Sequence, residues 1–135
     1  YDVGSRLDFM ERNLGEGDQR VRTLKAYYSL LEMRHWLFIK KTVEECKSDI
    51  IPILYFYSNN GDCPSCEEQG FVLNYIRQKY PQTRVYSFDI NINNSALETL
   101  RDLYGVQQAP AIIINDEKHL GFLDRDAVEK LFNSV

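Results

Sequence analysis

Cysteine is scarce in this chain. Three among 135 residues is an odd count and too few for a small scaffold stapled by disulfides. No block of basic residues occurs, and 20 acidic against 16 basic residues leave a formal charge of −4. Nucleic acid is therefore a poor partner. No apolar run approaches the roughly 18–20 residues that cross a bilayer, so no membrane span is expected within the chain. Repeats and low-complexity tracts are absent, as are a second CxxC and an HxxxH. A zinc site usually wants four ligands at paired spacing. An initiator Met and a signal-peptide pattern are also missing at Tyr1. With a helical N-terminal segment, that points to a trimmed, exported or membrane-tethered soluble domain, a cytoplasmic protein being the alternative.

What is present suffices for one compact domain. Hydrophobic residues make up 44% and aromatics 13% of the chain, enough to build a core and to argue against global disorder. The most informative stretch is Cys63-Pro64-Ser65-Cys66. Ile50 to Tyr57, apolar and rich in β-branched and aromatic residues, reads as a buried strand before it. Phe71, Val72, Tyr75 and Ile76 recur at helical spacing after it, and that helix ends at Tyr80-Pro81. The pair thus lies where a strand turns into a helix, with Cys63 at or near the N-cap and Pro64 at the first helical position. Free N–H groups at a helix start favour a thiolate at Cys63, and Cys66 can close a disulfide with it. Cys46, in phase with Val43, reads as a small buried hydrophobe.

Ser5 to Leu14 is a short helix candidate with Leu7, Met10 and Leu14 on one face, ended by Gly15 and Gly17. Asp18 caps a long helix reaching about Cys46. Its stripe of Val21, Leu24, Tyr28, Leu31 and His35 is widened by Tyr27, Leu30, Leu37 and Phe38. Cover on more than one side is expected, by the main domain and by the first helix or a second copy of the chain. His35 and Trp36 are assigned to packing. Beyond the CxxC helix, Arg84 to Ile90 alternates as a strand. Asn94 and Ser95 offer caps for a helix with Leu97, Leu100 and Leu103, ended by Gly105. Ala111 to Ile114 forms a third strand and His119 to Phe122 its hairpin partner across Asn115-Asp116-Glu117-Lys118. Asp124 caps a last helix with Ala127, Val128, Leu131 and Phe132 inward. The fold class is α/β: a four-stranded mixed sheet in the order β-α-β-α-β-β-α over 48–135, preceded by a helical extension over 1–47.

That order, with CxxC at the first strand-to-helix turn and Pro110 just before the third strand, resembles the thioredoxin superfamily. The resemblance runs from about Ile50 to Phe132 and includes Phe88-Asp89-Ile90-Asn91, Tyr104 to Pro110, and His119-Leu120-Gly121-Phe122-Leu123. It implies a cis bond before Pro110, a substrate peptide paired with the backbone of Ala109, and a groove kept open at Gly121. Cys63 and Cys66 are then the catalytic pair, with no cofactor. The chain departs from the family pattern in two places. Tyr55 falls where many thioredoxins bury an aspartate, and Asp62 replaces the usual tryptophan before the first cysteine. No subfamily follows from the residues.

The resemblance implies thiol–disulfide exchange, in which Cys63 attacks as thiolate and Cys66 resolves the mixed disulfide. Partners would be a disulfide-containing protein, peptide or small molecule, and a redox protein that recycles the dithiol. Asp62, Glu67 and Glu68 place negative charge beside the pair and oppose the helix-end effect, which favours reductase or thiol-transfer activity. The carboxylates at 67 and 68 also suit ordinary first-turn dipole compensation. Two rivals stand beside this reading. One is an adaptor with a vestigial CxxC that recruits a partner through its long helix. The other is a metal site drawing on Cys63, Cys66, Cys46 and a histidine.

Overall fold

The computed structural model describes residues 11–15, 17–46 and 48–132. Of the short helix expected over Ser5 to Leu14, residues 11–14 are helical and the remainder lies outside the described residues, Leu7 and Met10 included. The elements that follow are α1 (Gln19–Cys46), β1 (Ile51–Tyr57), α2 (Cys66–Lys79), β2 (Thr83–Asp89), α3 (Ser95–Tyr104), β3 (Ala111–Ile114), β4 (Glu117–Leu120) and α4 (Arg125–Phe132).

Local chemistry sets most of these boundaries. Asp18 accepts the Arg20 N–H at 2.8 Å and starts α1, as an N-cap carboxylate should. Asn94 accepts from the N–H groups of Ala96 and Leu97 to start α3. Gly105 ends that helix in the left-handed region at φ 67°, a conformation glycine adopts without steric cost. The hairpin is tighter than the sequence suggests. Asn115 and Asp116 both take positive φ, at 56° and 62°, and alone form the turn. The return strand therefore begins at Glu117 rather than His119, leaving Gly121 and Phe122 beyond its end.

The sheet order is β2-β1-β3-β4. β1 and β2 run parallel, while β3 is antiparallel to both β1 and β4. Strand alternation divides the core into two layers. One packs Leu54, Phe56, Tyr86, Phe88, Ala111 and Ile113 against α1 and α3 through Trp36, Ile39, Leu97 and Leu100. The other packs Ile51, Ile53, Tyr55, Ile112 and Ile114 against α2 and α4 through Leu73, Ile76 and Val128. Burying a side chain such as Phe56 or Leu97 stabilises by about 1.5–3 kcal/mol.

Three packing expectations are corrected. The face of α1 that meets the sheet carries Val21, Lys25, Ser29, Trp36 and Ile39, not the stripe through Leu24, Tyr28, Leu31 and His35. Tyr27, Leu30, Leu31, Leu37 and Phe38 are exposed, so the described chain covers this helix chiefly on one side. In α2 the buried positions are Cys66, Gln69, Leu73 and Ile76, while Phe71 and Tyr75 are exposed. Cys46 is free and exposed. It ends α1 one turn past Val43, the last residue of that helix packed on the core, where no described element covers it.

Candidate active site

β1 ends at Tyr57, and the loop 58–65 carries the chain to α2. The capping residue of α2 is Ser65, whose side chain makes no capping bond. Cys63 therefore lies in a turn just ahead of the helix rather than on its cap, and Pro64 lies within that turn. The Cys66 N–H donates to the Cys63 carbonyl at 3.3 Å, which draws the two residues together. Their Cα atoms are 5.4 Å apart and the sulfurs are joined as a disulfide. Cys66 is 7% exposed, whereas Cys63 is half-buried. Attack from solvent on the first sulfur is thus less obstructed than on the second.

Strand register brings the distant residues to the same end of the sheet. Phe56 stands opposite Ala111, so the segment before β3 faces the segment after β1. The Ala109–Pro110 bond is cis. Gly121, at φ 84°, donates its N–H to the Pro110 carbonyl at 3.0 Å. Gly121 follows β4, whose Leu120 pairs with Ala111. Ala109, Pro110 and Gly121 are thereby gathered at the end of the sheet from which the CxxC loop emerges. Leu120 and Phe122, either side of Gly121, are exposed and give this end an apolar rim.

Two contacts escaped sequence reasoning, one from Gln69 and one from Tyr55, whose position alone was singled out. Gln69 is fully buried. Its amide nitrogen donates to the Leu123 carbonyl at 3.0 Å, and its amide oxygen accepts the Leu123 N–H at 2.7 Å. A side chain one turn after Cys66 therefore mimics a strand neighbour and ties the Gly121–Leu123 segment to the CxxC helix. Tyr55 is the second. Its hydroxyl donates to the Cys66 carbonyl at 2.7 Å, and burial pushes its pKa up to about 12. A neutral phenol thus stands behind Cys66 where the resemblance would put a carboxylate, and it supplies no base near neutral pH. A glutamine or tyrosine inside an apolar pattern gives no sequence signal of its backbone partner.

No protein-family model and no curated protein matches the sequence. Solved structures do match. A thioredoxin-like protein from Clostridium perfringens superposes with a TM-score of 0.54 at 22% identity, over 68% of this chain and 75% of that one. Thioredoxin-2 of the malaria parasite, described as a component of its protein secretion machinery, gives 0.53 at 18%, over 64% and 84%. Desulfothioredoxin from Desulfovibrio vulgaris Hildenborough, in its reduced form, gives 0.52 at 21%, over 64% and 82%. The chain has the thioredoxin fold.

Within the thioredoxin fold, other features lie away from the cysteine pair. Cys46 closes α1 just ahead of β1, so the length of β1 separates it from Cys63, roughly 20 Å at the usual rise per residue. Among the described residues no group of three or more His, Cys, Asp and Glu side chains comes together as a metal site would need. A cleft of about 930 Å³ runs along β2 between α1 and α2, lined by Glu32, His35, Asn74, Arg77, Arg84 and Tyr86 among others. Neither Cys63 nor Pro110 lines it. Among the described residues no helix is long and apolar enough to cross a membrane.

Proposed function

We propose that this protein is a thiol–disulfide oxidoreductase in which Cys63 is the attacking sulfur and Cys66 the resolving one. The observation that carries the reading is the Cys63–Cys66 disulfide at the start of α2, at the same end of the sheet as Pro110 and Gly121. In the forward step the Cys63 thiolate attacks one sulfur of a substrate disulfide. A Cys63–substrate bond forms, and the other substrate sulfur leaves as a thiolate and takes a proton from solvent. Cys66 then loses its proton and attacks the Cys63 sulfur, releasing the second substrate thiol and closing the internal disulfide. The substrate is reduced by two electrons and the protein oxidised by two. A dithiol redox partner restores the reduced state.

The substrate in this reading is an extended polypeptide, paired with the backbone of Ala109 while its side chains meet the rim of Leu120 and Phe122. Reductase or thiol-transfer activity is the favoured direction, because Asp62, Glu67 and Glu68 add negative charge around the thiolate. We assign 1–47 to a helical extension and 48–135 to the thioredoxin-like unit. The exposed side of α1 is proposed to join two copies of the chain. Tyr27, Leu30, Leu31, Leu37 and Phe38 repeat at helical spacing there, and water exposure of such a stripe is unfavourable.

Insulin reduction driven by dithiothreitol tests the activity. The wild-type chain should accelerate precipitation of the insulin B chain, and Cys63→Ser should not. Equal behaviour of both proteins, at the rate of dithiothreitol alone, would leave the adaptor reading in its place.

A further inference from the structure

Lys25, in the second turn of α1, is only 4% exposed and lies far in sequence from the cysteine pair. Its ammonium group lies between two carboxylates, 2.8 Å from Asp89 Oδ2 and 3.2 Å from Glu11 Oε2. Both carboxylates lead to the loop before Cys63. The second oxygen of Glu11 accepts from Asn59 Nδ2 at 2.9 Å. Asp89 Oδ1 accepts from the Asn91 backbone N–H at 2.9 Å and from Asn91 Nδ2 at 3.1 Å. The same Asn91 amide donates to Ser58 Oγ at 2.8 Å, and Ser58 donates to Asp62 Oδ1. Asp62 is the residue immediately before Cys63. Arg22 adds a contact at 3.3 Å to the Asn91 carbonyl.

We propose that Lys25 is a positioning residue for the nucleophile, acting on Cys63 through the relay Asp89–Asn91–Ser58–Asp62. The proposal rests on the dithiol reading of Cys63 and adds a residue that the helical extension contributes to it.

Hydrogen-bond direction gives the relay its sense. Lys25 has only donors and Asp89, facing it, only acceptors, so Asn91 must present its amide hydrogens to Asp89 and Ser58. With its oxygen taken by Asn91, the Ser58 hydroxyl hydrogen is directed at Asp62. A hydroxyl donating to a carboxylate offsets part of its negative charge. The Cys63 thiolate next door meets less repulsion than an unpartnered Asp62 would exert. Without the Lys25 cation, Asp89 and Glu11 stand as two carboxylates in a largely buried place, which disfavours their arrangement. Asn91 and Asn59 then lose their anchors, Ser58 is free to turn, and Asp62 recovers its full effect on the thiolate.

The test is the rate at which iodoacetamide modifies Cys63 in the reduced full chain at pH 7, read by peptide mapping that separates Cys63 from Cys66 and Cys46. Lys25→Met should slow Cys63 by about two- to fivefold, the factor that a partly screened charge interaction of about 0.4–1 kcal/mol gives. Asp62→Asn should speed it by a similar factor. In an Asp62→Asn background, Lys25→Met should change nothing further, because the relay then ends on an uncharged side chain. Ser58→Ala, which cuts the relay without removing a buried charge, should reproduce the slowing and lose it in the same background. It decides the matter should Lys25→Met fail to fold by circular dichroism. An unchanged Cys63 rate in the folded variants overturns the proposal. So does slowing that persists with Asp62→Asn, which would mean a direct field or a general loosening. Alkylation needs only the thiol, so a wild-type chain that fails to reduce insulin yet shows this pattern would overturn the enzymatic reading and uphold the relay.

Discussion

The two cysteines differ in exposure, and the proposed order of reaction rests on that difference. Cys66 is buried at the first helical position and Cys63 is half-buried in the turn before it. In the reduced protein, limited alkylation should modify Cys63 well before Cys66, with the exposed Cys46 as an internal reference. Preferential labelling of Cys66 would reverse the assignment. The tyrosines offer a second test at this scale. Burial pushes Tyr55 and Tyr86 up to about 12, against an ordinary value near 10. The folded state therefore binds these phenolic protons more tightly than the unfolded chain does. Stability is unaffected by the two groups below about pH 10 and falls as the pH rises from about 10 towards 12. A titration followed at 295 nm should show at least two of the nine tyrosines ionising only near pH 12 or with unfolding. Tyr55→Phe should lower the alkaline dependence while leaving the Cys66 carbonyl without its donor.

Elements were legible where their cause is local. The strand-to-helix placement of the CxxC pair, the Asn94 and Asp124 caps, the stop at Gly105 and the hairpin all follow from residues within a few positions of each boundary. Asn94→Ala should accordingly cost about 1 kcal/mol, seen as a lower urea midpoint at unchanged slope. Packing faces were less legible, because they depend on distant partners. The buried side of α1 carries Lys25, which a periodicity reading assigns to solvent. Asp89 and Glu11, which the fold brings to it from distant positions, make that burial tolerable. In α2, Gln69 is buried by the two backbone bonds of Leu123, while the more apolar Phe71 faces out. Gln69→Ala should destabilise by about 1–3 kcal/mol, since it leaves the Leu123 N–H and carbonyl without their partner. It should also lower the rate of insulin reduction by loosening the segment that carries Gly121. A loss of stability with unchanged insulin reduction would separate that segment from substrate handling.

Taken whole, the molecule is a small mixed sheet with a disulfide pair at one end and a long helix laid across one face. That helix contributes Trp36 and Ile39 to the core while leaving Leu37 and Phe38 exposed, at 55% and 67%. Self-association through this side predicts that light scattering finds a dimer at micromolar concentration, and that Phe38→Glu with Leu30→Glu gives a monomer with unchanged insulin reduction. A wild-type monomer would remove the assembly from the account and leave the redox chemistry intact. The chemistry itself is tested most directly by locating the mixed disulfide. Reduced Cys66→Ser protein, mixed with glutathione disulfide and mapped by mass spectrometry, should accumulate glutathione on Cys63 far faster than on Cys46. Reduced Cys63→Ser protein should accumulate little on Cys66. Equal trapping on Cys63 and Cys66, or trapping on Cys46 alone, would contradict an ordered dithiol exchange at this site.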